Sequence, residues 1–161
     1  MDFHIGEKVI HSTFGIGEIA AIEEMEINGL PVECYLVRVS EMTVYVPVNS
    51  AYQNSLRTPT AAPEFLKTVE ILSSPIESLA EDRLLRKNHL MTLLRDGRLS
   101  SICEVVRDLH SYQQKFKLND QEKNILEQAV KSLLTEWTLS LEIPNHEATL
   151  TMESLLNSDS N

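Results

Sequence analysis

The chain has 161 residues, enough for one domain or two small ones, and 42% of them are apolar, which suits a folded core. Fourteen lysines and arginines against 24 acidic residues give a formal charge of −10, which argues against indiscriminate binding to bulk nucleic acid or acidic membranes and leaves room for a local basic patch. Cys34 and Cys103 lie in different halves, inside apolar runs and without metal-ligand spacing, so they read as buried free thiols in a reducing compartment.

The first part of the chain reads as β. Lys8 to His11 is a short strand, and Phe14-Gly15-Ile16-Gly17 is a tight connection whose glycines permit unusual backbone angles. Ile16 to Ile27 is alternating or β-branched, compatible with a bent strand. Asn28-Gly29 is a hairpin signal because both residues tolerate positive φ. Val32 to Val39 is the return strand, and Met42 to Val48 is another, interrupted by Pro47. Two readings of that last strand stand side by side: a buried central strand, or an edge that accepts a strand from a partner. Strands this short at this spacing build a small, curved antiparallel sheet or barrel.

Thr58-Pro59-Thr60-Ala61-Ala62-Pro63 marks the change of class. Pro63 or Glu64 opens a short helix ending near Leu72, and Ser73-Ser74-Pro75 breaks the chain again. Ile76 to Leu94 is amphipathic through Leu79, Leu84, Leu90, Leu93 and Leu94, as one helix or as a kinked or split one. Gly97 ends that helix in a left-handed conformation, and Ser100 or Ser101 caps the next. Leu99, Ile102, Val106 and Leu109 then line one face, widened by Cys103 and Val105, with Glu104, Arg107 and Asp108 in water. Asn119 and Glu122 form a capping box ahead of a stripe of Leu126, Ala129, Val130, Leu133, Leu134 and Trp137, which Pro144 ends. Glu147 to Leu156 is a last short helix, and 157–161 is a frayed tail.

Charge is unevenly spread. Residues 1–72 hold four basic and ten acidic groups; 83–98 hold five basic groups and one acid; from Glu136 onward there are five acids and no base. Arg83, Arg86 and Lys87 share a helix face with Leu90, which continues it into the core. This cluster is either an ordinary solvated surface or a small phosphate site, and a few cations on an acidic protein bind nucleic acid only when something else holds it nearby. Trp137 is either a core residue or an exposed anchor. Catalysis lacks a site. His4, His11, His89, His110 and His146 are scattered without metal spacing, and Gly15-x-Gly17 is too short for a phosphate loop. No cofactor or metal is expected. No signal peptide and no bilayer-length apolar run is present, so a cytoplasmic protein with no membrane partner is expected.

The order of these pieces resembles the CarD/CdnL family of bacterial RNA-polymerase-binding transcription regulators. The resemblance runs from about Phe3 to Leu141. It is carried by Ile5-Gly6-Glu7-Lys8-Val9-Ile10, Phe14-Gly15-Ile16-Gly17-Glu18-Ile19, Ala21-Ile22-Glu23, Met42-Thr43-Val44, Val46-Pro47-Val48-Asn49 and Leu56-Arg57. In the second half it is carried by Gly97, Glu104-Val105-Val106-Arg107-Asp108-Leu109, Leu118, Glu122-Lys123 and Leu126.

The resemblance implies an α+β chain of two domains. A Tudor-like RNA-polymerase-interaction domain at 1–60, similar to one in the transcription-repair coupling factor, precedes a short helix and linker at 61–75 and a compact DNA-contacting helical bundle at 76–156. It implies that the first domain binds the polymerase β subunit, partly by aligning sheet edges, through Met25 and the strand Met42, Thr43, Val44, Tyr45, Val46 and Pro47. It implies that the bundle contacts promoter DNA at the upstream edge of the melted region through Arg83, Arg86 and Lys87. In family members a tryptophan wedges into the minor groove there. Counting back from Glu104 to Leu109 without gaps, that position is Arg83 in this chain, and Trp137 lies in a different helix. Positions 25 and 45, basic in some members, are Met25 and Tyr45. The expected partners are therefore the β subunit and, weakly and through polymerase, promoter DNA, with the chain itself a monomer. The alternative is an interaction module of the same fold that binds polymerase or another protein without engaging DNA.

Overall fold

The structure, a computed structural model, describes residues 3–49, 55–76 and 78–158. It is α+β and divides into two units, 1–59 and 60–161. The first unit is an antiparallel sheet of β1 (Lys8–His11), β2 (Gly15–Ile27), β3 (Leu30–Val39), β4 (Met42–Pro47) and β5 (Leu56–Arg57), in the order β4-β3-β2-β1-β5. Asn28 and Gly29 both take positive φ, as a two-residue turn between right-twisted strands requires, and Ser40 does so in the next turn. β2 is the bent strand expected: its register with β3 shifts between Ile19 and Ala21, which re-aims every side chain beyond the bulge. Phe3, Val9, Ile19, Tyr35, Val37, Val39, Val46 and Leu56 form the core on one face. Gly17 is needed for space rather than for an unusual angle. A Cβ there would lie 2.8 Å from the Arg38 carbonyl oxygen and 2.8 Å from methyls of Val37 and Val39.

The second unit contains α1 (Ala62–Thr68), a 3-10 turn (Val69–Ser73), α2 (Arg83–Asp96), α3 (Leu99–Tyr112), α4 (Asp120–Leu141) and α5 (Asn145–Asn157). The short helix expected in 61–75 is α1, and this stretch packs into the core of the unit. Phe65, Val69 and Leu72 are buried, and Phe65 meets Trp137 edge-on at 5.3 Å between ring centres. Of the two readings of Trp137, the core residue is the one observed. α2 begins seven residues later than the amphipathic pattern suggested. Asp82 caps it by accepting the Leu85 N–H at 2.9 Å, and 78–82 form no regular element. Gly97 closes it with φ of 70°.

α3 has the buried face expected, but neither serine caps it. Arg98 holds the cap position without a side-chain bond, and the Ser101 hydroxyl instead donates to the Asp96 carboxylate. Arg107 and Asp108 are not in water. Their side chains are paired at 2.9 Å between Nε and Oδ1, and Arg107 also donates to the Ser74 hydroxyl at 2.8 Å. Burial of a carboxylate requires such a partner, and the Ser74 hydroxyl that holds Arg107 beside it, 33 residues away, is invisible to helical periodicity. The capping box at Asn119 and Glu122 is present, and α4 ends on a left-handed Glu142 before Pro144. α5 extends to Asn157, into the stretch expected to fray; residues 159–161 lie outside the described ones. Both cysteines are buried and free. No helix among the described residues is long and apolar enough to cross a membrane.

Candidate functional site

The first candidate surface is β4. Within the described sheet it pairs with β3 alone, so its other side presents unpaired backbone donors and acceptors. Of the two readings of this strand, the edge is the one observed. Strand alternation sorts its side chains. Val46 is buried, and Val44 packs against the core. Both point inward, so what they present at the open edge is their backbone. Tyr45, 50% exposed, and Thr43 face outward. Tyr45 sits opposite Leu36, which is followed two residues earlier by Cys34 and then by Val32, the partner of Met25. Met25 and Tyr45 therefore share the outer face of the sheet, with partly exposed Leu36 and Val32 between them. Pro47, at the strand's last position, lacks an N–H to donate, which suits an edge.

The second candidate surface is the first turn of α2. Arg83 is exposed and Lys87 half-buried. Arg86 is not part of this surface. Its side chain is 8% exposed and pairs through Nε with Glu122, itself 5% exposed. Its Nη1 donates to the carbonyl oxygens of Ala80 and Glu81, both at 3.1 Å, and its guanidinium lies 5.0 Å from the centre of the Tyr112 ring. The helical spacing that aligns Arg86 with Leu90 carries both inward, so the expected trio of exposed cations is a pair.

Leu84 and Leu85, which periodicity assigned to the buried side or left unmarked, are 61% and 62% exposed. Two adjacent leucines in water on a helix end, bracketed by Arg83 and Lys87, form an apolar knob inside a cationic frame. The sequence signal for them was present in Arg83-Leu84-Leu85-Arg86-Lys87. Its meaning depended on knowing that the helix starts at Arg83 and that Arg86 turns inward.

His11, away from these surfaces, serves the fold. The His11 Nδ1 accepts the N–H groups of Thr13 at 3.0 Å and Phe14 at 3.3 Å, and burial holds its pKa below the usual value. The described residues contain no group of three or more His, Cys, Asp or Glu side chains able to hold a metal.

The chain thus holds an edge-exposed antiparallel sheet and a helical unit in which Arg83, Leu84 and Leu85 stand exposed at the start of α2. Residues 3–59 match the CarD-like/TRCF RID domain, and residues 67–153 match the CarD C-terminal domain. A relative from Bacillus subtilis (strain 168), named "Putative transcription factor YdeB", is 31% identical over 140 residues, covering 83% of this chain and 89% of the relative. The chain belongs to the CarD family.

Proposed function

We propose that this chain regulates transcription by binding the RNA polymerase β subunit through the β4 edge and by stabilising the promoter open complex through the first turn of α2. Family membership supports the polymerase partner, and the open edge beside Tyr45 supplies a means, since an added strand gains backbone hydrogen bonds while outward side chains set the choice of partner. The observation that carries the DNA half is the Leu84–Leu85 pair, exposed between Arg83 and Lys87. An arginine at the wedge position cannot insert as an indole does. The two leucines beside it can, because leucine is among the side chains that wedge into unstacked base steps.

Two cations alone bind weakly. They release about two counterions, giving a slope near −2 in log affinity against log salt. Binding to polymerase raises the local concentration enough for such contacts to matter. Contacts made in the open complex and absent from the closed one shift the melting equilibrium; equal contacts in both shift nothing.

Open-complex lifetime on a promoter, with and without saturating protein, tests this. A longer lifetime that Leu84→Ser/Leu85→Ser removes, with polymerase binding intact, is the expected result. Tyr45→Ala should weaken polymerase capture. An unchanged lifetime with the unmodified chain bound to polymerase would instead support the interaction module without DNA contact, which the overall charge of −10 favours.

A further inference from the structure

We infer that Arg86 and Glu122 form a buried pin that fixes the exposed first turn of α2, and that both are positioning residues for that surface. The inference rests on the DNA-facing reading of that turn given above.

A buried ion pair is a poor way to hold helices together. Taking both charges out of water costs several kcal/mol per ion in real proteins, and an apolar pair of similar volume is often as stable or more so. What the apolar pair cannot do is grip the backbone. Arg86 reaches in three directions at once. Nε binds the Glu122 carboxylate on α4, Nη1 binds the Ala80 and Glu81 carbonyls at 3.1 Å each, and the flat guanidinium lies over Tyr112 of α3. Glu122 is held as firmly. Its Oε1 accepts the Asn119 N–H at 3.0 Å within the capping box while Oε2 takes Arg86.

The grip brackets the surface that matters. Glu81 immediately precedes the cap residue Asp82, and Arg86 immediately follows Leu85. One side chain therefore clamps both ends of the 82–85 turn, and the Asp82 cap closes it from within. Arg83, Leu84 and Leu85 project from a turn with no freedom to unwind. A lysine cannot reproduce this, because a point charge lacks the planar fork that serves a carboxylate and two carbonyls together. The device holds the backbone of the apolar knob in its helical form before it meets its target, so the turn is not ordered on binding, which corresponds to at least about tenfold in the effect on DNA.

The test compares the full chain with Arg86→Met/Glu122→Gln, which removes both charges while the amide oxygen keeps the capping-box acceptor for the Asn119 N–H, and with Arg86→Lys. Melting temperature, amide hydrogen exchange at Leu85 and Lys87, and open-complex lifetime with RNA polymerase are measured for each. For the double variant a melting temperature close to that of the unmodified chain is expected, with exchange at Leu85 and Lys87 at least about tenfold faster, α3 amides unchanged, and the lifetime effect about tenfold smaller. Unchanged exchange at Leu85 and Lys87, or a fully retained lifetime effect, overturns the inference. Should the double variant not fold, Arg86→Lys decides by the same two readouts in the same directions. If the unmodified chain leaves the lifetime unchanged, the DNA reading fails on its own, and the exchange comparison still decides whether the pin holds the turn.

Discussion

Glu136, in the C-terminal half of α4 and 2% exposed, accepts both donors of Thr60: the backbone N–H at 3.0 Å and the hydroxyl at 2.6 Å. Residues 76 positions apart are thus tied at the point where the chain enters the helical unit. A buried carboxylate needs partners of this kind, and hydrogen bonds to a charged group contribute about 1.5–3 kcal/mol each. Thr60→Val, which keeps the shape and removes the hydroxyl, should lower stability by that amount. A denaturant titration should show a reduced midpoint with an unchanged slope.

The Cys103 thiol is pushed up to about 12, first by burial and then by the nearby Glu136 carboxylate. The thiolate is the reactive form, so Cys103 should be inert to alkylation in the folded protein at pH 8 and react at the rate of a free thiol once denaturant is added. Thiol titration with and without denaturant checks this. Rapid native modification of Cys103, located by peptide mapping, would contradict the packing described for α3.

The sheet should respond to pH through His11. Its neutral Nδ1 accepts two backbone N–H groups, and a protonated Nδ1 can accept neither. Burial lowers its folded pKa below the ordinary value of 6.5, so below that pH the unfolded chain binds the proton more readily than the folded one. The stabilisation is complete above 6.5 and is lost as pH falls from there through the folded pKa. His11→Asn retains an acceptor and does not titrate. Melting curves from pH 7.5 to 5 should show a shallower loss of stability in that variant than in the unmodified chain.

Gly17→Ala should destabilise the sheet unit by about 1–3 kcal/mol, the usual cost of forcing extra volume into a packed site. The new Cβ meets a backbone oxygen at 2.8 Å, which cannot rotate away as a flexible side chain could. Urea denaturation followed by a probe in the sheet would show it. Gly15→Ala is the useful companion. Nothing lies within 4 Å of its Cβ position, so any loss there comes from its φ of 86° rather than from crowding.

Much of the candidate site was legible in part. The helical spacing of Arg86 with Leu90 already placed Arg86 on the inward side, but its partner Glu122 lies 36 residues away on another helix. Without that partner in view, an arginine among leucines reads as surface. On β4, alternation was enough to separate Val44 and Val46 from Tyr45, and the resemblance treated the strand as one unit. Met25 and Tyr45 share a face through the β3 residues they pair with, Val32 and Leu36, which are four apart on one strand, and period-2 counting along β2 or β4 alone cannot see a pairing across β3.

What the sequence determined by itself was what local physics controls. The Asn28-Gly29 turn, the Asn119–Glu122 capping box, the Gly97 helix stop and the buried stripe around Ile102, Val106 and Leu109 each depend on backbone preferences or spacing within a few residues. The tertiary structure decided which charges are surface and which are struts, and which leucines are core and which face water. Arg86 against Glu122, Arg107 against Asp108 and Ser74, and Glu136 against Thr60 show the first; Leu84 and Leu85 show the second. The reason is desolvation. A charge can leave water only where a partner waits, and a leucine must stay in water where no neighbour covers it, and both conditions are set by elements distant in the chain.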